Sequence, residues 1–257
     1  MIDPNADKPV LGLATHLAES WSGEHSPLQN RLLAALPVEA LNRIGAGLEL
    51  VHLEVRQALY EPGSQQLHVY FPISSVVSLH QVMESGQSVE AAGVGNDGMV
   101  GVALLLGTTS TSSSATVQTA GYAYRLERSL LKLEMDRGET LQRLMLRYTQ
   151  GLVSQMFQTA VCNRYHATEQ QLSRWILSTL DRSPPGELLI TQESVARMLG
   201  VRRESVTEAA GRLQQAGWIR LRRGRIAVSD KAGLETCACE CYALVKKELA
   251  RLKLGPG

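Results

Sequence analysis

A chain of 257 residues, 44% hydrophobic and 20% charged, has the length for one large domain or two ordinary ones and the composition of a globular protein. Its 26 Lys and Arg against 25 Asp and Glu leave a net charge of +1, which excludes a chain that coats nucleic acid by bulk charge. The longest aliphatic run, Val102 to Leu106, is too short for a bilayer, and Met1-Ile2-Asp3-Pro4 lacks the basic and apolar regions of a signal peptide, so a cytoplasmic protein without membrane contact is expected.

Residues 1–27 carry Pro, Asp, Gly and Ser with little periodicity and read as a flexible N-terminal arm. Residues 28–47 hold short helical patterns such as Leu32-Leu33 with Leu36. From about Leu48 to Leu126 short β-rich runs (Val51–Val55, His68–Phe71, Ser75–Met83, Val89–Val94, Ala115–Thr119, Tyr122–Leu126) alternate with turn residues. Regular short strands of this kind predict an antiparallel sandwich or barrel-like roll. A helical segment follows from about Arg128. From Thr140, the residues Leu141, Met145, Tyr148, Leu152, Gln155, Thr159 and Cys162 recur at three- and four-residue steps, close to a heptad seam. Such a seam fits a helix packed on its own domain or a dimerisation helix. Asn163-Arg164-Tyr165-His166-Ala167 interrupts it. Thr168-Glu169-Gln170-Gln171 then reads as a capping box opening a helix with Leu172, Trp175, Ile176 and Leu180 inward. Ser183-Pro184-Pro185-Gly186 breaks that helix.

Ile190 to Val228 is the most informative stretch. Thr191 is a good N-cap type, and Val195, Met198 and Leu199 put one apolar face on the helix it opens. Gly200 stops that helix, and a second runs from about Arg203 to Ala216 with Val206, Ala209, Ala210 and Leu213 on one face. Gly217 ends it. In Trp218 to Val228 apolar residues alternate with arginines around an Arg223-Gly224 turn, the pattern of a short hairpin. Two helices and a basic hairpin make a winged helix, a fold that docks on duplex DNA. Charge agrees: residues 190–229 hold eight Arg and three Glu, a local +5 on a body with 18 basic and 22 acidic side chains elsewhere.

This order of parts resembles the cyclic-AMP-receptor/FNR (CRP/FNR) family of bacterial transcription regulators. The resemblance covers about residues 28–242. It is carried by Ile190 to Val206, with the Gly turn and the Arg-Glu-Ser-Val start of a recognition helix. Tyr70-Phe71-Pro72-Ile73 and Asn96 to Gly101 are similar to the family's β-roll. The implied fold is α+β: an N-terminal antiparallel β-roll (a cyclic-nucleotide-binding-like jelly roll), a long dimerisation helix and a C-terminal winged helix-turn-helix. The domains expected are the arm 1–27, a sensor roll 28–135, the dimerisation helix 136–163 (Leu141, Met145, Tyr148, Leu152, Thr159) and the DNA-binding domain 164–257. The resemblance implies a homodimer on a palindromic double-stranded operator, with RNA polymerase as a further partner. At matching positions, Arg203 and Glu204 would meet base edges, an arginine fork suiting guanine and a carboxylate suiting cytosine. Gln192, Ser205 and Thr207 belong to the same surface, and Glu208 departs from the basic residue of close relatives. Arg202 stands where an N-cap is usually Ser, Asp or Asn, a misfit that a DNA phosphate at the helix start would relieve. Arg222, Arg223 and Arg225 on the wing are assigned to the phosphate backbone.

The sensor lacks what cyclic AMP needs. The family's Gly-Glu-Leu turn aligns with Gly101-Val102-Ala103, so Val102 stands where the ribose-binding Glu would be. Thr108 to Ser114 has no arginine for the phosphate. Gly101, Val102, Ser112, Ser113 and Ser114 remain the candidate pocket for an unidentified small-molecule effector. An FNR-type iron–sulfur cluster needs cysteines near the N-terminus, and none precedes Cys162. His52, His68 and His80 are read as ordinary strand residues rather than haem ligands. Cys237-Ala238-Cys239-Glu240-Cys241 is expected on a final helix, where Cys237 and Cys241 share a face and Cys239 points away. Three cysteines so placed make a poor closed metal site. No cofactor or metal is therefore expected; the alternative is a redox- or metal-responsive regulator switched through Cys237, Cys239 and Cys241. No nucleophile elbow, P-loop or dinucleotide fingerprint is present, so no enzyme is expected.

Overall fold

Seven strands between Glu49 and Glu127 build the front half of the molecule, in a computed structural model that describes residues 23–183 and 187–252. Residues 1–22 of the expected arm and Pro184-Pro185-Gly186 of the expected breaker lie outside the described residues. Strands β1 (Glu49–Leu53), β7 (Gly121–Glu127) and β3 (His68–Pro72) form one antiparallel sheet in the order β1-β7-β3. Strands β2 (Ala58–Tyr60), β6 (Ser114–Thr119), β4 (Val76–Val82) and β5 (Ser88–Val94) form the other, in the order β2-β6-β4-β5. Alternation sends Val69, Phe71, Val77, Leu79, Val94, Val117, Ala123 and Leu126 into one apolar core between the sheets. β2 was not anticipated; at three residues it has too little alternation to register.

Short helices α1 (Arg31–Ala34) and α2 (Val38–Gly45) lie against this roll, and Leu32, Leu33, Leu41 and Ile44 enter its core. Asn30 fixes the entry. Its Oδ1 accepts from the Leu32 and Leu33 amides at 3.1 and 3.2 Å, and its Nδ2 donates to the carbonyls of Pro72 and Gly98 at 2.8 and 2.9 Å. A single turn of helix, α3 (Val102–Leu105), follows Gly101, whose φ of +108° no other residue adopts without strain.

Helix α4 (Arg128–Asp136) leads into α5 (Thr140–Tyr165), whose 26 residues make it about 39 Å long. The seam read from the sequence is the buried side of α5: Leu141, Met145, Tyr148, Leu152 and Thr159 all pack within their own chain. This corrects their assignment to a subunit contact. The opposite side of α5 exposes Leu146, Val153, Phe157 and Val161. Apolar residues on both faces leave the periodicity alone unable to say which side packs within the chain.

Helix α6 (Thr168–Leu180) begins one residue earlier than its motif suggested, with Thr168 as its first helical residue rather than its cap. Ala167 is the N-cap and has no side-chain acceptor. Only the return half of the expected box forms, with the Ala167 amide donating to Gln170 Oε1 at 3.2 Å. Then come α7 (Gln192–Leu199), α8 (Arg203–Gln215), the hairpin β8 (Ile219–Arg222) and β9 (Arg225–Val228), α9 (Lys231–Cys237) and α10 (Cys241–Arg251). α6, α7, α8 and the hairpin share a second core around Leu172, Trp175, Val195, Leu199, Val206, Leu213 and Ile226.

The two halves are clamped together on the outer face of the second sheet. Alternation gives Ser78 and Gln118 to the outer face, and a register shift (Leu79 opposite Ala92, then His80 opposite Glu90) turns Glu90 to it as well, yet all three are buried because α6 lies across them. Trp175 Nε1 donates to Glu90 Oε1 at 3.2 Å, and Gln118 Nε2 donates to Thr179 Oγ1 at 3.4 Å. Arg182 Nε donates to Asp97 Oδ2 at 2.8 Å in a pair that is almost fully buried. Burial holds the Glu90 carboxyl above its ordinary range, against the pull of Ser78, Arg174 and Arg182.

Candidate nucleic-acid interface

Thr191 caps α7 by accepting from the Ser194 amide at 3.2 Å. Gly200 ends that helix at φ +66°, and α8 starts three residues later, at Arg203. The tight corner buries Val195, Ala196 and Leu199 against Val206, Ala209, Ala210 and Leu213 and turns the other side of α8 outward. Arg202, Arg203, Glu204, Thr207 and Glu208 are exposed there, and Ser205 is half-buried.

Arg202 is the N-cap of α8 and supplies no side-chain hydrogen bond. The first amides of α8 therefore carry no side-chain cap and hold the positive end of a 13-residue helix dipole. Thr207 Oγ1 lies 2.9 Å from Gln192 Oε1 and 3.1 Å from the Arg203 carbonyl. One hydroxyl has one proton, so turning the Gln192 amide over lets its Nε2 donate to Thr207 while Thr207 donates to Arg203. Either way the pair braces α7 against the recognition surface. Glu208 stands one turn before Arg212, whose guanidinium bonds Glu169 at 2.5 Å and is held above its ordinary pKa by Glu169 first and Glu208 after it.

The hairpin has the expected register, Arg222 opposite Arg225, with Gly224 at φ +70° in its turn. Sequence reasoning missed its third edge. Leu188 and Ile226 exchange two backbone bonds at 2.8 and 2.9 Å, bringing Glu187 within 3.3 Å of Arg225. Arg222 and Arg223 stay exposed at the tip.

Between hairpin and helices runs a groove of about 540 Å³. Arg197, Arg203, Arg222, Arg223 and Arg225 line it, joined by Arg56 from the roll, with Glu193 as its one acid. Arg56 had no signal in the sequence. It sits in the β1–β2 turn at φ +70°, held there by its amide donating to the Val117 carbonyl at 2.8 Å. Six guanidinium groups converging on one groove make an anion-binding surface of polyphosphate character.

The other expected sites fare differently. Gly101 and Ser114 are buried, Val102 and Ser113 half-buried, and Ser112 exposed; none of the five lines the arginine groove or the second groove, of about 550 Å³, between the roll and α7. The Cys237 to Cys241 stretch is not one helix, because Ala238 to Glu240 break it between α9 and α10. Cys237 faces Glu169 at 3.8 Å, while Cys239 and Cys241 turn inward to meet Cys162. The expected grouping of Cys237 with Cys241 is thereby corrected. No helix among the described residues is long and apolar enough to cross a membrane.

Residues 170–237 match the Crp-like helix-turn-helix domain family. The chain is similar to the Global nitrogen regulator of Synechococcus elongatus, with 26% identity over 206 residues, covering 74% of this chain and 91% of that protein. Among solved structures, a CRP/FNR-family transcriptional regulator from Thermus thermophilus superposes with a TM-score of 0.56 at 22% identity, covering 74% of this chain and 98% of that one. FixK2 from Bradyrhizobium japonicum superposes with a TM-score of 0.58 at 14% identity, covering 75% and 98%.

Proposed function

We propose that the chain is a DNA-binding transcription regulator of the CRP/FNR type, working as a homodimer whose sensor roll does not serve cyclic AMP. The observation that carries the DNA reading is the arginine groove. The uncapped start of α8 and the tip of the hairpin flank it, so one phosphodiester backbone can meet the wing while Arg203 and Glu204 reach base edges.

The exposed apolar stripe of α5 supports a second copy of this chain as the partner. A 39 Å helix with Leu146, Val153, Phe157 and Val161 in water lacks a cover that a two-fold mate would supply. Two such copies would set their α8 helices on half-sites about one helical turn apart, roughly 34 Å. RNA polymerase is the further partner in this reading, and the cytoplasm its place.

Against cyclic AMP stand Val102 in the place of a carboxylate and the absence of arginine from Thr108 to Ser114. Gly101, Val102, Ser112, Ser113 and Ser114 are the positions proposed for another effector. Calorimetry with cyclic AMP checks this: affinity weaker than millimolar fits the reading, and micromolar affinity defeats it. A second reading, thiol or metal control of the same DNA-binding output, draws support from Cys239 and Cys241 meeting Cys162; Cys237 has no part in that contact. Gel-shift titration of the purified chain on duplex DNA tests the DNA reading. Salt-dependent binding with a two-fold sequence preference is the expected result.

A further inference from the structure

Cys162 lies in the last turn of α5, His166 at the α5–α6 corner, and Cys239 and Cys241 at the break between α9 and α10. The ligand-capable atoms of these four residues all lie within 4.8 Å of one another. The Cys162 and Cys239 sulfurs are 3.5 Å apart, and Cys241 Sγ is 3.4 Å from His166 Nδ1. The three cysteines are buried, and the His166 side chain is 14% exposed. We propose that Cys162, His166, Cys239 and Cys241 form a closed, tetrahedral site for one thiophilic divalent cation of the zinc class, clasping α10 to the α5–α6 corner. This goes beyond DNA binding and does not depend on it.

Size decides for a single ion. Zinc–sulfur bonds of about 2.3 Å and zinc–nitrogen bonds of about 2.0–2.1 Å give a tetrahedron with edges of roughly 3.5–3.8 Å. The 3.5 Å Cys162–Cys239 and 3.4 Å Cys241–His166 separations lie near those edges, and the remaining pairs, all within 4.8 Å, need close by no more than about 1 Å. A multinuclear iron–sulfur cluster would have to hold the same ligands much farther apart.

The surroundings are those of a metal-bound histidine. With Nδ1 turned to the cysteines, His166 Nε2 faces Glu240 Oε2 at 3.2 Å, which would fix the tautomer that leaves Nδ1 free to ligate. Gln158 Nε2 donates to Cys241 Sγ at 3.0 Å. Charge also closes. Three thiolates, a neutral imidazole and a divalent cation carry one net negative charge, and the buried Arg174 guanidinium stands beside Cys162 to balance it. Arg174 Nε has no hydrogen-bond partner of its own. On loading, each thiol still protonated releases its proton to solvent as the metal–sulfur bond forms, with no change of oxidation state.

Cobalt(II) is the probe, added to the reduced full-length chain. Binding is expected to give thiolate-to-cobalt charge transfer and tetrahedral visible bands that saturate at about one ion per chain and are bleached by zinc. Zinc alone is expected to raise the thermal midpoint. Cys162→Ser or Cys241→Ser should abolish the charge-transfer band, while Cys237→Ser leaves it intact. Glu240→Gln removes an exposed carboxylate and so keeps the fold; it should weaken metal affinity about 10- to 100-fold. The proposal is overturned by a wild-type chain that gives no thiolate–cobalt band, or by equal loss in Cys237→Ser. It falls equally if the anaerobically purified chain holds a Cys162–Cys239 disulfide or iron with inorganic sulfide in place of a single ion.

Discussion

Phe157 sits near the middle of the exposed side of α5 with 71% of its surface in water. Truncating it to alanine removes nothing from the protomer's own core, so any cost must come from association. A phenylalanine buries roughly 150–250 Å², which leaves about 110–180 Å² per protomer for a partner to cover. At about 25 cal/mol per Å² that is roughly 3–4 kcal/mol per protomer. A two-fold axis counts it twice, while ordering and imperfect packing take back a large share. A net loss of about 2–4 kcal/mol, or roughly 30- to 1000-fold in the dimer dissociation constant, is the resulting expectation. Sedimentation equilibrium of wild type and Phe157→Ala reads it directly, with circular dichroism to confirm an unchanged fold. Leu152→Ala is the control on the opposite side of the helix. It should cost folding stability, about 2–5 kcal/mol, without selectively weakening association. The reasoning is refuted if Phe157→Ala associates as wild type does, or if Leu152→Ala dissociates a dimer that remains folded.

The wing and the domain clamp give two further tests. Arg223→Ala should weaken binding about equally on all duplexes and reduce the salt slope by about 1, because a wing-tip arginine meets phosphate rather than bases; a change confined to one sequence would contradict it. Glu90→Gln keeps an acceptor for Trp175 while removing a buried charge. The Glu90 carboxyl is held above its ordinary value in the folded state, so the folded chain binds more protons than the unfolded one and stability falls as pH rises above about 4.5. The variant should therefore melt higher than wild type at neutral pH, with the gap closing as pH falls to the ordinary carboxylate range. A wild type that melts higher at neutral pH would sink this account of the clamp.

The winged helix was legible because its signals are local. Thr191, Gly200 and the three- and four-residue spacings of Val195, Met198 and Leu199 and of Val206, Ala209, Ala210 and Leu213 each act within one or two turns, and the Arg223-Gly224 turn needs only its flanking alternation. The strands of the roll were legible for the same reason. What escaped depends on contacts far apart in the chain. Alternation marks Ser78 and Gln118 as surface residues and Glu90 as a partner of Ala92 and Val94; a register shift and the docking of α6 together decide where all three lie. In α5, apolar residues on both faces leave the periodicity without a preferred side, so spacing alone does not separate the residues buried within the chain from those left exposed. The Cys162–Cys239 contact joins residues 77 apart, and Cys162 had been read as a seam position. Arg56 enters the arginine groove through a β-turn that carries no motif at all.

Selection of bound sequences from a random duplex library, run on wild type and on Arg203→Ala, tests the central claim most directly. The account predicts a palindrome with half-sites about ten base pairs apart for wild type. It predicts that Arg203→Ala costs about 1–3 kcal/mol and relaxes preference at one base pair in each half-site. No enriched sequence for wild type, or an affinity loss in Arg203→Ala that is the same on every sequence, would contradict it.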